Sequence, residues 1–381
     1  MISQHASMEI NPGTMEDFFK IKRENIQYPL DLGLPSPAML LFSLEDARRI
    51  NLKTALQYSA PCQSLKEKII KILQVRGEQF IPENILLCNG SQEGLFLLAM
   101  LLLKGGKKAI VEEFSYPNFH LITKHLGSTV VSVKTDKDNT IDIIHLEKVL
   151  AENRDIGCIY IVPNGNNPSG GSLSLAKKKR IAELGEQYRI PIIEDDPYAF
   201  VSFDGMFNPS IKSMSQGEVY YVGTFSKLLG PSLRAGWIIG SPEKIEILAN
   251  YKESINLNVL CFSHLLLDSF ISEGSLLMQI EKVGPYYRRK RDLMIDAIEK
   301  YFPSNKTYSV PSHGFFIWLG MPGFDSSRKL DFALKQLNVS YIPGKLFSID
   351  GKSGHEFMRL SFSGIEASEI DNAIAKLALL F

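Results

Sequence analysis

Between residues 84 and 240 the chain repeats one pattern: a short, nearly continuous apolar run rich in β-formers, a turn, and then a stretch with helical spacing of its apolar positions. Continuous apolar strands call for burial on both faces, and the intervening helical stretches supply the cover. The pattern therefore predicts an α/β unit with a mostly parallel sheet. Strands are expected at 85–88, 108–112, 129–134, 156–162, 191–194, 218–223 and 235–240. In such a sheet ligands gather at the carboxyl ends of the strands. After Ser241-Pro242 the spacing turns helical through Tyr301, with the charged stretch from Tyr286 to Arg291 read as a solvated helix face. Strand-like runs return at 314–319 and 357–362, which suggests a smaller α+β domain. A chain of 381 residues is expected to divide into two packed domains. The division expected is an N-terminal arm with part of the small domain at 1–50, a large domain at 51–284, and the C-terminal small domain at 285–381.

Charge narrows the range of partners. Forty-two basic residues balance forty-two acidic ones, so no overall field draws the chain to nucleic acid or to an anionic membrane. The basic string Lys177-Lys178-Lys179-Arg180 is read as a solvated helix face. The longest apolar run, 95–103, falls short of the roughly 20 residues that span a bilayer. The first twelve residues lack the pattern of a secretory signal, so the expected location is cytoplasmic. Cys62, Cys88, Cys158 and Cys261 stand far apart without C-x-x-C spacing, so reduced core thiols are expected and no metal site.

Four turns at expected strand ends carry the chemistry. Thr224-Phe225-Ser226-Lys227 is followed by Gly230-Pro231 and Arg234. Two hydroxyls, a glycine turn and a guanidinium in one loop make a phosphate receptor, and a lysine beside a phosphate suggests pyridoxal 5'-phosphate (PLP). Glu194-Asp195-Asp196-Pro197-Tyr198 reads either as an acidic turn with Asp196 as a helix N-cap, or as the source of the carboxylate that keeps a pyridine nitrogen protonated. Asp195 fits the second role, and Tyr198 could reach the ring hydroxyl. The stretch from Val162 to Gly170 has turn composition, and its Asn167 amide could donate to that same hydroxyl. In Asn89-Gly90-Ser91-Gln92-Glu93-Gly94, Ser91 reads as an N-cap, and the N–H groups of the helix start would hold the phosphate. There is no G-x-G-x-x-G to suggest a dinucleotide.

These elements stand in the order and approximate spacing of the class I/II aminotransferases, and the resemblance covers nearly the whole chain. The chain is most similar to the branch containing 2-aminoadipate and kynurenine aminotransferases and the aminotransferase-like domains of MocR regulators. The strings that carry this are Glu194-Asp195-Asp196-Pro197-Tyr198, Gly223-Thr224-Phe225-Ser226-Lys227 and Leu233-Arg234-Ala235-Gly236-Trp237. The resemblance implies fold type I of the PLP-dependent transferases, with Lys227 bound to the cofactor as a Schiff base and Asp195 on the pyridine nitrogen. It implies that Asn167 and Tyr198 contact the ring hydroxyl, that Ser91, Gln92, Thr224, Ser226 and Arg234 contact the phosphate end, and that Tyr116 stacks on the ring. It implies that Arg359, in Met358-Arg359-Leu360-Ser361-Phe362, clamps the substrate α-carboxylate, and that Gly33 borders the substrate pocket beside Asn167. Tyr58 matches a tyrosine that crosses to the partner's phosphate, which implies a homodimer. Gly165 and Asn166 replace an aromatic and a glutamine usual in the family, so a more open pocket wall is expected. The implied activity moves an amino group between an amino acid and a 2-oxo acid. Two alternatives stand beside it: a same-fold lyase, decarboxylase or cyclase, which would use the same cofactor residues, and a non-catalytic PLP-binding sensor.

Overall fold

The structure, a computed structural model, describes residues 12–21, 25–39, 48, 50–56, 62–257, 261–271 and 275–381. Its strands are β1 (Tyr28–Pro29), β2 (Ile85–Cys88), β3 (Lys108–Glu112), β4 (Val130–Val133), β5 (Ile156–Ile161), β6 (Ile192–Asp195), β7 (Val219–Thr224), β8 (Gly236–Ile239), β9 (Thr307–Tyr308), β10 (Phe316–Gly320), β11 (Val339–Ser340), β12 (Ile342–Pro343) and β13 (Phe357–Ser361). Seven of them form one sheet in the order β2-β8-β7-β6-β5-β3-β4. Neighbours run parallel except around β8, which is antiparallel to both β2 and β7.

Successive side chains of a strand point to opposite faces, and each face finds its own cover. On one face Val111, Cys158, Tyr160, Ile193, Val222 and Ile238 pack against Leu95, Leu98 and Ala99 of the Ser91–Leu102 helix. On the other, Ile110, Ile159, Ile161, Ile192 and Val219 meet Leu146 and Val149 of the Ile143–Glu152 helix and Ile181 and Leu184 of the Leu175–Tyr188 helix. This double cover is why the strands read as unbroken apolar runs. The expected strands of this sheet all form, each end within one residue of its expected place. The shifts at β6 and β7 matter, because they make Asp195 and Thr224 the last residues of their strands.

A four-stranded antiparallel sheet, β12-β13-β10-β9, and a parallel pair, β1-β11, form a second layer. In the first of these Trp318 lies opposite Arg359, and its indole stacks on Phe357 at 5.1 Å between centroids. The N-terminal segment is sewn to this layer by Leu30 N–H to the Ser340 carbonyl (3.1 Å) and Ser361 N–H to the Leu30 carbonyl (2.7 Å). The helix Ser275–Tyr301 runs through the residue 284/285 line.

Three surface expectations are corrected. The Tyr286 to Arg291 stretch is two-faced: Arg288 and Arg289 are exposed, whereas Tyr287 accepts from Ser36 N–H and buried Lys290 donates to the Ser363 carbonyl. In the Lys177 to Arg180 run only Lys179 is exposed, while Lys178 is buried and donates to the Pro209 carbonyl. Four consecutive helical residues point in four directions about the axis, so such a run cannot lie on one face. Finally, Cys88 and Cys158 are buried as expected, but Cys62 and Cys261 are partly exposed. No helix among the described residues is long and apolar enough to cross a membrane.

Candidate active site

The segments that leave β2, β3, β5, β6 and β7 converge on one cleft at the carboxyl end of the large sheet. Its lining brings together Ser91, Gln92, Tyr116, Asn167, Asp195, Tyr198, Thr224, Ser226, Lys227 and Arg234. Arg359 and Gly33 join through hydrogen bonds to Asn167 and Lys227. Tyr58 lies outside the described residues.

At one end of the cleft the Ser91–Leu102 helix begins. Its N-cap is Gly90, not Ser91, and Ser91 stands in the first turn facing the cleft. Gly90 has φ 83°, and a Cβ there would come within 2.8 Å of Arg234 Cζ. Both facts require glycine. Arg234, itself left-handed at φ 47°, donates from Nη2 to the Asn89 carbonyl at 3.1 Å, which holds its guanidinium over the helix start. Across from it Ser226 N–H donates to Thr224 Oγ1 at 3.1 Å, and the two hydroxyl oxygens are 2.9 Å apart. A helix N-terminus, two hydroxyls and a guanidinium form a receptor for a phosphate dianion.

Midway lies Asp195. Tyr160 donates to its Oδ2 at 2.7 Å, while Oδ1 is buried and has no hydrogen-bond partner among the described residues. Burial, with Asp196 beside it, pushes the Asp195 carboxyl up to about 7 against the pull of Tyr160 and Lys227. A protonated ring nitrogen fits that unpartnered oxygen, supplying both a donor and a charge. Tyr116 is held by Gln92 and Asn118, at 3.3 Å and 3.1 Å from its hydroxyl, and burial pushes its phenol up to about 12. Tyr198 is buried edge-on to Phe315 and Phe316.

Lys227 donates from Nζ to the Gly33 carbonyl at 2.7 Å. Burial first, and then the positive charge of Arg359, bring its amine down to about 8. Arg359 extends from β13 into the same space. It donates to Asn167 Oδ1 at 2.8 Å and to the Asp31 carbonyl at 2.6 Å, and its guanidinium lies 4.1 Å from the Phe316 ring centroid. Its Nε is buried without a partner among the described residues.

Two readings of the acidic and Asn-rich turns are corrected. Asp196 caps no helix; its carboxylate pairs with buried Arg76 at 3.0 Å and accepts from Asn164 at 2.9 Å. The wall at Gly165 and Asn166 is not more open. A Cβ at Gly165 would lie 2.8 Å from the His313 carbonyl oxygen, so backbone from the C-terminal part of the chain fills that space. Asn166 turns away to donate to buried Glu112 at 2.6 Å. Tyr160, Arg76 and Glu112 escape the motif reading. A phenol inside an apolar strand is nevertheless a signal, because a buried hydroxyl needs a partner.

Comparison with known proteins bears on this geometry. The family model described as aminotransferase class I and II matches residues 41–377. An aminotransferase of Saccharolobus solfataricus described as uncharacterized is 30% identical, with 95% of this chain and 93% of that protein covered. The crystal structure of Pyrococcus horikoshii kynurenine aminotransferase, in complex with PMP, with KYN as substrates and KYA as products, superposes with a TM-score of 0.88 at 27% identity, covering 96% of this chain and 93% of that one. The alpha-aminoadipate aminotransferase of Thermus thermophilus, complexed with N-(5'-phosphopyridoxyl)-L-leucine, superposes with a TM-score of 0.87 at 26% identity, covering 97% of this chain and 95% of that one.

Proposed function

Because the chain belongs to the class I and II aminotransferases, PLP enzymes that move an amino group between an amino acid and a 2-oxo acid, we propose that this cleft is the active site and Lys227 the residue that holds the cofactor covalently. The observation that carries the reading is that Lys227 and Asp195, whose Oδ1 has no partner among the described residues, line one cleft with Asn167, to which Arg359 is hydrogen-bonded. When bound, PLP supplies a conjugated ring that draws electrons from the amino acid's α-carbon. Asp195 keeps the ring nitrogen protonated. Ser91, Gln92, Thr224, Ser226 and Arg234 would hold the phosphate, Tyr116 would cover the ring face, and Tyr198 and the Asn167 amide would donate to the ring hydroxyl. Because Asn167 Oδ1 already accepts from Arg359, its Nδ2 is the end left to donate. Arg359 takes the substrate carboxylate, with Nε as the donor that has no other partner among the described residues. With the cofactor bound, the Lys227 amine would be the base positioned to take the amino acid's α-proton and give it back. An amine brought down to about 8 is partly neutral at neutral pH, as a base must be.

We extend this to a homodimer in the cytoplasm, with Tyr58 reaching the partner's phosphate; support comes from the resemblance around Tyr58 and from the composition. Borohydride reduction of the holoenzyme, digestion and mass spectrometry should find the cofactor on the Lys227 peptide, and label elsewhere would overturn the reading. Stopped-flow spectra with a panel of amino acids, kynurenine and 2-aminoadipate first given the names of the relatives, should accumulate pyridoxamine phosphate. Release of carbon dioxide or of an elimination product would favour the decarboxylase or lyase alternative.

A further inference from the structure

Tyr160 lies in β5, one strand over from Asp195 in β6, and its register partner is Ile193. Side chains alternate, so Tyr160, Ile193 and Asp195 leave the same face of the sheet, and the phenol reaches Asp195 along the diagonal. Its ring is stacked on Phe119, with centroids 3.9 Å apart and planes 9° from parallel. Both rings are buried, so the hydroxyl has one available position. There it donates to Asp195 Oδ2 at 2.7 Å, while Oδ1 is the oxygen left without a partner among the described residues. The carboxylate of this cleft-lining residue thus has one oxygen capped by the phenol and the other without a partner among the described residues.

We propose that Tyr160 is a positioning residue for the reaction: it fixes the Asp195 carboxylate in one orientation and, by drawing charge onto the Oδ2 hydrogen bond, keeps Asp195 the weaker base, so that the shared proton stays on the cofactor's ring nitrogen. This inference rests on the reading of Asp195 as the partner of that nitrogen. A carboxylate removed from water becomes a stronger base and would tend to take the proton itself, which would leave a neutral ring that accepts electrons poorly. The groups facing Asp195 are Asp196 just beyond its own strand, Tyr160 on β5, Lys227 from the loop after β7, Tyr116 from the loop after β3, and Tyr198 from the turn after β6. Asp196 strengthens the base, and among the described residues Tyr160 and Lys227 oppose it. Lys227 changes its bonding and charge during turnover, whereas Tyr160 does not. Among the described residues Tyr160 is also the only one that hydrogen-bonds the Asp195 side chain.

The test uses holoenzyme loaded with PLP isotopically labelled at the ring nitrogen and reads that nitrogen by NMR as a function of pH. Tyr160→Phe keeps the stacked ring and removes one oxygen. Its nitrogen resonance should move from the protonated range toward the position seen in Asp195→Asn, with the ratio of protonated to neutral ring falling about tenfold for each unit by which Asp195 becomes more basic. A fluorinated tyrosine at position 160 retains the donor and should restore the wild-type resonance. Phe119→Leu loosens the same packing but keeps the hydroxyl, and should leave the resonance near wild type. A wild-type resonance in Tyr160→Phe alongside a displaced one in Asp195→Asn overturns the role of Tyr160 and leaves Asp195 standing. A wild-type resonance in Asp195→Asn overturns the reading of Asp195 itself. A Phe119→Leu displacement as large as that of Tyr160→Phe makes the effect one of packing, and the proposal fails.

Discussion

The positive charge of Arg359 is felt at Lys227, where it joins burial in bringing the amine down. Replacing Arg359 with Gln should raise KM for the amino acid roughly 10- to 150-fold, the worth of one hydrogen bond to a charged group, with a smaller change in PLP affinity. Steady-state kinetics and cofactor titration separate the two. The same substitution removes a positive charge that helps hold Lys227 at about 8, down from 10.5. Only the neutral amine attacks the aldehyde, so the rate of PLP loading into the cofactor-free chain should rise with pH and level off just above about 8 in the wild type. In Arg359→Gln the plateau should move upward, and an unmoved plateau in stopped-flow absorbance would show that the two charges do not communicate. The motif residues were legible because turn chemistry at strand ends is written locally, as in Thr224-Phe225-Ser226-Lys227. Tyr160 and Arg76 were not, because their partners lie 35 and 120 residues away, and neither side chain breaks the local pattern.

At the scale of elements, the start of the Ser91–Leu102 helix is the most constrained junction, because Gly90 combines φ 83° with the Arg234 guanidinium packed against its Cα. Gly90→Ala should cost about 1–3 kcal/mol in backbone strain and displace Arg234, weakening PLP binding as well as the fold. Urea unfolding and PLP titration should both register it; a stability loss with unchanged PLP affinity would separate the turn from the phosphate site. The large sheet could be read from sequence because burial on both faces leaves continuous apolar runs that no helix of that length would need. The short pairs β1-β11 and β9-β10 could not. Two residues such as Tyr28–Pro29 or Thr307–Tyr308 carry no periodicity, and their pairing depends on segments up to about 310 residues apart.

Across the whole molecule, buried charge ties the layers together. Arg76, just after the Gln63–Gln74 helix, donates to Asp196 at the end of β6, to the Tyr221 hydroxyl in β7 and to the Asn208 carbonyl, with Glu78 at 3.5 Å. Arg76→Met would take the paired guanidinium from Asp196 and Glu78 and leave buried Lys178 as the cation acting on both, and should cost about 3 kcal/mol, read by equilibrium denaturation. A pH effect follows from Asp195. With its carboxyl raised from 3.8 to about 7 in the cofactor-free chain, the folded state binds more protons than the unfolded one in that window, so this group's contribution to stability is lost as pH rises from about 4 to 7. A ring cation on Asp195 removes that loss. Thermal scans should therefore show the gap between holo and cofactor-free melting temperatures widening from about pH 5 to about pH 7, and a constant gap would contradict the pairing. The strand order carries a further consequence, for biosynthesis. Among the described residues the edge strand β2 pairs with β8 alone, and Ile85 waits for Ile239. A nascent chain emerging from the ribosome displays the apolar Ile85–Cys88 edge unpaired while some 150 further residues are made, the interval in which chaperones would be needed and aggregation competes. Completing β8 pairs that edge and sets Gly236 against Gly90 and Ser91 at the start of the Ser91–Leu102 helix in one step. The proposed cradle for the cofactor is therefore finished about 120 residues of synthesis before Arg359, the proposed carboxylate clamp, has been translated.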